Sequence, residues 1–269
     1  MRPVFEIIPK AIFFQQTNLI CEISADGFSY IFENDREKKF HGLSVFHFTG
    51  DDIPGQLKKI FHEQSLLSKS YKKVFISYTG DQSALLPEEL YRAGENELLL
   101  DTLYGDVNAG TIVTDLVADK KIYNVYRMPA AVHKVLADQF PLAAFSHQYS
   151  LLIKQEFEGD LLRVIFYRDT FVVLLIKAGE LQIMHTYPYK SGADVVYHLL
   201  NICGQFNMPA VPVRIGGMIE IDSDLHKELS HYFPNITFDR LPDDYEYVNN
   251  LKDIPHHYFS HLFSLALCV

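Results

Sequence analysis

The residues of this chain that could do chemistry stand in short turns and on one terminal helix. His257 and His261 lie four apart, one helical turn, the spacing at which two imidazoles can share a zinc ion. His256 adjoins them, but no glutamate stands between them, so the metalloprotease pattern HExxH is missing. They read as ordinary helix histidines, as do His226 and His231. No GxSxG elbow raises a serine nucleophile. Cys21, Cys203 and Cys268 form no CxxC pair and sit among apolar neighbours, which predicts reduced core thiols. Asp26 and Asp169 each stand in a tight turn between apolar runs. They could act as a carboxylate pair in a hydrolase, or simply shape their turns, a task that suits Asp. Gly216 and Gly217 follow an apolar run and make a turn. The segment Tyr104 to Gly110 (YGDVNAG) is turn-rich and reads as a connection or an exposed binding loop.

These turns need elements to position them. Asn18 to Ala25 and Phe28 to Phe32 flank Asp26-Gly27, the strongest short hairpin signal. A third run, His41 to Phe48, follows. Asp51 or Asp52 then caps a helix in which Ile53, Leu57, Ile60 and Phe61 recur at helical spacing. Val74 to Tyr78 is the next strand. Further on, Leu86-Pro87-Glu88-Glu89 predicts a helix start, with proline and acids in the first turn. Thr111 to Val117 and Ile122 to Met128 read as a hairpin. Ala130 to Gln139 reads as a helix, Pro141 to Phe145 as a short strand, and His147 to Lys154 as another helix.

The opening pattern then returns. Leu161 to Tyr167, Phe171 to Lys177 and Leu181 to Tyr187 read as three strands across short turns. Ser191 caps a helix with Val195, Val196, Leu199, Leu200 and Cys203 on its apolar face, and Val211 to Ile215 is a strand. A capped helix from Asp222 to His231, a strand near Asn235 to Phe238 and an apolar helix from Pro255 complete the pass. Strand, strand, strand, helix, strand thus occurs twice, which predicts two related α/β lobes with a cleft between them. The expected lobes are 1–156, carrying the inserted hairpin and helices, and 157–269.

Composition narrows the function. With 24 Lys and Arg against 34 Asp and Glu, the formal net charge is −10. That surface repels nucleic-acid phosphates. The one basic cluster, Lys69, Lys72 and Lys73, leads straight into a strand and reads as a solvated turn. No apolar run approaches the ~20 residues that span a bilayer, and the N-terminus shows no signal-peptide pattern. Cytoplasmic residence is the expectation.

The duplicated plan, ending in an apolar helix, resembles the actin-like ATPase superfamily, whose lobes are ribonuclease-H-like. Phe166 to Gly217 carries the resemblance best: YRDTFVVLLIKAGELQIMHTYPYKSGADVVYHLL, then VPVRIGG. It is similar to the second lobe of the cytoplasmic pilus-assembly and type II secretion proteins of that superfamily. More narrowly, the whole chain resembles an uncharacterised bacterial family of unknown function with this fold.

The resemblance implies ATP, held by one hairpin turn per lobe. Such turns need glycine so that backbone N–H groups can reach phosphate oxygens, and a carboxylate to organise Mg²⁺. The family pattern is Asp-x-Gly followed by small hydroxyl residues. Here Asp26 and Gly27 are adjacent and Phe28 fills the position expected to be small. The second turn, Tyr167-Arg168-Asp169-Thr170-Phe171, has no glycine. Gly216 and Gly217 match the pair that lets an adenosine approach, and Arg168 could pair with phosphate. The implied site is therefore Asp26, Gly27, Arg168, Asp169, Gly216 and Gly217, in degenerate form. The expectation is a non-catalytic cytoplasmic scaffold or adaptor that recognises another protein, without cofactor or metal. The alternative is an ATP-dependent kinase or ATPase using Mg²⁺.

Overall fold

A computed structural model of the chain describes residues 1–9, 11–105 and 110–268. Its backbone contacts divide into two units, Met1–Lys154 with Asp244–Asp253 and Leu265–Val269, and Gln155–Asp243 with Ile254–Ser264.

The first unit opens with β1 (Phe5–Ile7), β2 (Asn18–Ser24), β3 (Gly27–Asn34) and β4 (Lys39–His47). Helix α1 (Ile53–Glu63) starts where Asp52 Oδ1 accepts from the Gly55 N–H at 2.9 Å, satisfying one of the first-turn donors. Next come β5 (Lys73–Thr79), β6 (Ser83–Pro87), α2 (Asn96–Tyr104), β7 (Gly110–Val117), β8 (Ile122–Pro129), α3 (Ala130–Gln139), β9 (Ala144–His147) and α4 (Gln148–Leu152). The main sheet runs β1-β4-β3-β2-β5-β9, and a smaller sheet runs β6-β8-β7. In the main sheet β2, β3 and β4 are antiparallel, while β5 and β9 continue parallel to β2. Leu57, Ile60 and Phe61 of α1 and Val132, Val135 and Leu136 of α3 are buried with the aromatic side chains of β3 to form one core.

The second unit repeats the order. It contains β10 (Leu161–Phe166), β11 (Thr170–Lys177), β12 (Glu180–Pro188), α5 (Gly192–Gln205), β13 (Val213–Gly217), α6 (Asp224–Tyr232) and β14 (Ile236–Phe238). The sheet is β12-β11-β10-β13-β14, matching β4-β3-β2-β5-β9 strand for strand. Ser191 and Asp194 form a reciprocal capping box at the start of α5. That helix buries Val195, Val196, Leu199 and Cys203, as its spacing predicts, whereas Leu200, expected on the same face, is exposed.

Several segments depart from expectation: the helix expected over His147 to Lys154 is only Gln148–Leu152, the terminal helix expected from Pro255 begins at Ser260, and two further departures change the architecture. Leu86 and Pro87 are the end of β6, paired with Tyr123 and Ile122, and the helix begins only at Asn96. Pro87 sits at the strand terminus, where its missing N–H costs no ladder bond. The chain also does not stay in a continuous 157–269 lobe. β15 (Glu246–Tyr247) pairs parallel with β4 of the first unit, Tyr247 opposite Phe40. Tyr245 stacks on Phe40 at 4.5 Å, and its hydroxyl donates to Glu33 Oε1 at 2.7 Å. Glu33 is buried and also accepts from Asn18 Nδ2 at 3.0 Å. Burying a carboxylate without such donors would be costly, so this polar contact fixes the segment in the first unit. Helix α7 (Ser260–Leu265) follows. Most of the loop Tyr104 to Gly110 lies outside the described residues.

Candidate functional site

The expected site residues of the first unit lie at the β2–β3 turn. Ser24 Oγ accepts from the backbone N–H of Asp26 at 3.1 Å and of Gly27 at 3.2 Å. Both N–H groups are thus engaged by a side chain of the same turn. A Cβ at Gly27 would stand 2.2 Å from the Phe46 carbonyl oxygen. The glycine is therefore required by the close approach of β4, where Gly27 faces His47.

Arg168, Asp169, Gly216 and Gly217 are brought to one end of the second unit's sheet. β10 leads into the Arg168-Asp169 turn, and its last two residues, Ile165 and Phe166, lie opposite Gly216 and Gly217. The turn is closed by Tyr167 N–H to Thr170 O, 2.9 Å, and Tyr189 N–H to Asp169 O, 3.0 Å. Arg168 Nε is 3.8 Å from Asp169 Oδ2, and both side chains are exposed. Such a pair contributes ~0–1 kcal/mol.

The space beside the glycines is filled. A Cβ at Gly216 would meet Asp239 Oδ2 at 2.6 Å and Ser260 Oγ at 3.1 Å. Arg163 Nε and Nη2 donate to that same oxygen at 3.0 and 2.7 Å, and Ser260 Oγ donates to it at 3.2 Å. Arg163 Nη1 reaches Gln155 Oε1 at 2.9 Å. Gly217 has φ +84°, its Cβ would lie 2.0 Å from Phe166 O, and its N–H donates to His257 O at 2.7 Å. Packing and backbone conformation account for both glycines. The buried Arg163–Asp239 pair escaped the sequence reading. Its one signal was an arginine inside the apolar run LLRVIF.

His226 and His231 lie on α6 and His261 on α7, but His257 stands in a turn before α7, so His257 and His261 do not share a helical face as their spacing suggested. His257 is buried, its Nε2 is 2.7 Å from Ile219 O, and burial holds its pKa below the ordinary value. His261 is buried edge-on to Tyr167. Among the described residues no group of three His, Cys, Asp or Glu is placed to hold a metal.

The first unit contains a better-formed site that the sequence did not disclose, a cavity of about 440 Å³. Its floor is the face of β5 that carries Phe75 and Ser77; the opposite face, with Ile76, belongs to the core. Its walls are Thr114–Val117 of β7 and Ala144–Ser146 of β9, with Ser150, Leu151, Lys154 and Leu265. β7 and β9 are both at the edge of their sheets. Asp115 holds the walls together: Oδ2 accepts from Ser146 Oγ and from the His147 N–H, both at 2.7 Å.

Ser77 Oγ has no hydrogen-bond partner although the residue is only 2% exposed. Its cross-strand neighbour Glu22 accepts instead from Thr79 Oγ1 at 3.0 Å and Gln148 Nε2 at 3.2 Å. His147 is no general base for this serine. Its Nε2 is 3.2 Å from Gly80 O, its Nδ1 accepts from the Tyr149 N–H, and burial pushes its pKa down to about 3. The cavity thus brings together an apolar floor, one hydroxyl without a partner and the edge strands of two sheets.

Comparison with known proteins agrees with the architecture. A family model described as a protein of unknown function (DUF3822) matches residues 11–236. No curated protein matches the chain. A Bacteroides thetaiotaomicron protein with an actin-like ATPase fold and unknown function superposes with a TM-score of 0.77 at 21% identity, over 95% of this chain and 99% of that one. The PilM–PilN type IV pilus biogenesis complex matches with a TM-score of 0.63 at 10% identity, over 93% of this chain and 97% of that one. The cytoplasmic domain of EpsL, an inner membrane component of the type II secretion system of Vibrio cholerae, matches with a TM-score of 0.52 at 9% identity, over 94% and 95%. The fold is an actin-like ATPase fold, with two α/β units of the same strand order. No helix among the described residues is long and apolar enough to cross a membrane.

Proposed function

The chain belongs to the family of unknown function DUF3822, and from that premise we propose that it is a non-catalytic cytoplasmic adaptor that grips an extended segment of a partner protein in the Ser77 cavity. In this reading it binds no ATP productively. The observation that carries the proposal is the unpartnered Ser77 hydroxyl on the cavity floor. A buried hydroxyl without a partner costs ~1–3 kcal/mol, and a partner's backbone group relieves that cost on binding. Two strand edges flanking an apolar floor suit β-augmentation, in which main-chain hydrogen bonds supply affinity and pockets supply specificity.

Further support comes from the turns. The N–H groups at Asp26 and Gly27 are engaged by Ser24, and the approach to Gly216 is filled by Asp239 and Ser260. One of the similar structures is itself a complex of two proteins, PilM and PilN, which accords with an adaptor role. The test is Ser77→Leu, which fills the cavity floor from within. Linear peptides selected on the wild-type chain should lose binding to this variant, and neither chain should be stabilised by Mg-ATP. Undiminished peptide binding by Ser77→Leu, or stabilisation by millimolar Mg-ATP, defeats the proposal.

A further inference from the structure

A second cavity, about 700 Å³, opens at the start of β5. Lys69, Lys72 and Lys73 line it, together with Leu142, whose side chain is 96% exposed at its rim. Phe75 and Ala144 wall this cavity and the Ser77 cavity alike, and they are register partners across β5 and β9. The two cavities adjoin at that pair.

Strand alternation puts Lys73, Phe75 and Ser77 on one face of β5. Lys73 Nζ lies 5.7 Å over the Phe75 ring, as that placement requires. The floor of the combined groove is thus a cation, a ring and a hydroxyl in succession. Lys72 is held by Asp35 at 2.6 Å. Lys69 and Lys73 are exposed, and among the described residues neither is ion-paired. In a chain of net charge −10, these are local cations. Charges beyond ~8 Å are screened at physiological ionic strength, so a ligand at this end meets the lysines and not the net charge.

We propose that the groove reads an extended partner segment of defined chemistry: apolar residues enter the Ser77 cavity, and an acidic side chain lies against Lys69 and Lys73. This rests on the adaptor reading above and adds the partner's sequence character. From Lys73 to Ser77 is four residues of strand, ~13 Å at ~3.3 Å per residue. The acidic residue therefore stands about four positions from the residue that meets Ser77. Leu142 at the rim offers apolar contact beside the charge. A membrane or a nucleic acid is wider than this groove, so its negative surface also meets the acidic residues around the lysines, whereas a peptide side chain meets the lysines alone.

The test is selection from a random linear peptide library displayed on phage, against the full wild-type chain and the double variant Lys69→Glu/Lys73→Glu. Both positions are exposed, and Lys69→Gln/Lys73→Gln serves if charge reversal disturbs folding. Wild type is expected to enrich an apolar block with Asp or Glu about four positions away. The Glu variant is expected to enrich Lys or Arg there, and to bind the wild-type peptides at least about tenfold more weakly. Apolar peptides without acidic enrichment, or an acidic preference unchanged in the variants, overturns the lysine reading and leaves the adaptor standing. No enrichment by either chain overturns both. Lysine-dependent binding to phosphatidylserine vesicles without acidic peptides in the selection assigns the groove to a membrane surface, and also overturns it.

Discussion

Asp239 Oδ2 stands 2.6 Å from where a Cβ at Gly216 would be, and the same oxygen receives Arg163 through two donors. The glycine and the ion pair are thus one device: the missing side chain makes room for the carboxylate. Asp239→Ala strands a buried guanidinium and should cost ~3–5 kcal/mol. Gly216→Ala should destabilise through the same atoms, so the double variant should lose less than the sum of the two. Urea unfolding of the three variants measures this. A loss below ~1 kcal/mol for Asp239→Ala would show that the pair does not hold the second unit together.

Mg-ATP at millimolar concentration should leave the thermal midpoint of the wild type unchanged, and likewise that of Arg168→Ala. A ligand at 100 times its dissociation constant contributes ~2.7 kcal/mol, or ~5–10 °C for a chain of this size. A shift of that order in the wild type, lost in Arg168→Ala, would replace the adaptor by a nucleotide-binding protein in which Arg168 pairs with phosphate.

His147 should make stability depend on pH. Its folded pKa is about 3, well below the ordinary 6.5. Above pH 6.5 both folded and unfolded forms are neutral and the contribution is fully present. Below it the unfolded chain takes up a proton that the folded chain refuses, so stability is lost at ~1.4 kcal/mol per pH unit toward pH 3. His147→Asn keeps an acceptor for the Tyr149 N–H but cannot titrate. It should be less stable at pH 7.5 and show a flatter slope between pH 7 and 5 in denaturant titrations. Parallel slopes for the two chains would refute this assignment.

Ser77→Ala removes an unpartnered hydroxyl and should raise stability by ~1 kcal/mol while weakening peptide binding. Chemical unfolding and fluorescence anisotropy with one selected peptide give the two numbers. A variant that is less stable and binds unchanged would show that Ser77 serves the fold.

Local signals carried much of the fold. Asp26-Gly27 marked the first hairpin, Ser191 capped α5, and the apolar spacing of α1 and α5 named most of the residues their faces bury, Leu200 being the exposed exception. Local signals also misled at Leu86-Pro87-Glu88-Glu89, where proline and acids imitate a helix start. β6 is a strand because β8 lies beside it, and that partner is some 35 residues further along the chain. The candidate site was illegible for a similar reason. Ser77 is one serine in a strand, and only the arrival of β7 and β9 turns it into a buried hydroxyl without a partner. The Gly216-Gly217 pair was visible as a motif, but its cause, Asp239 and Ser260, depends on residues with no local mark.

The pairing of β15 with β4 bears on how the polypeptide is made. Glu33 and its partner Tyr245 are 212 residues apart. At ~5–20 residues per second of translation, a nascent chain waits ~10–40 s between emergence of the carboxylate and of the hydroxyl that satisfies it. Throughout that interval Phe40 lacks the tyrosine that stacks on it. Contacts of such long sequence separation slow folding, so the N-terminal unit is expected to leave the ribosome with one flank of its sheet still open, and to need chaperone cover there until the tail returns.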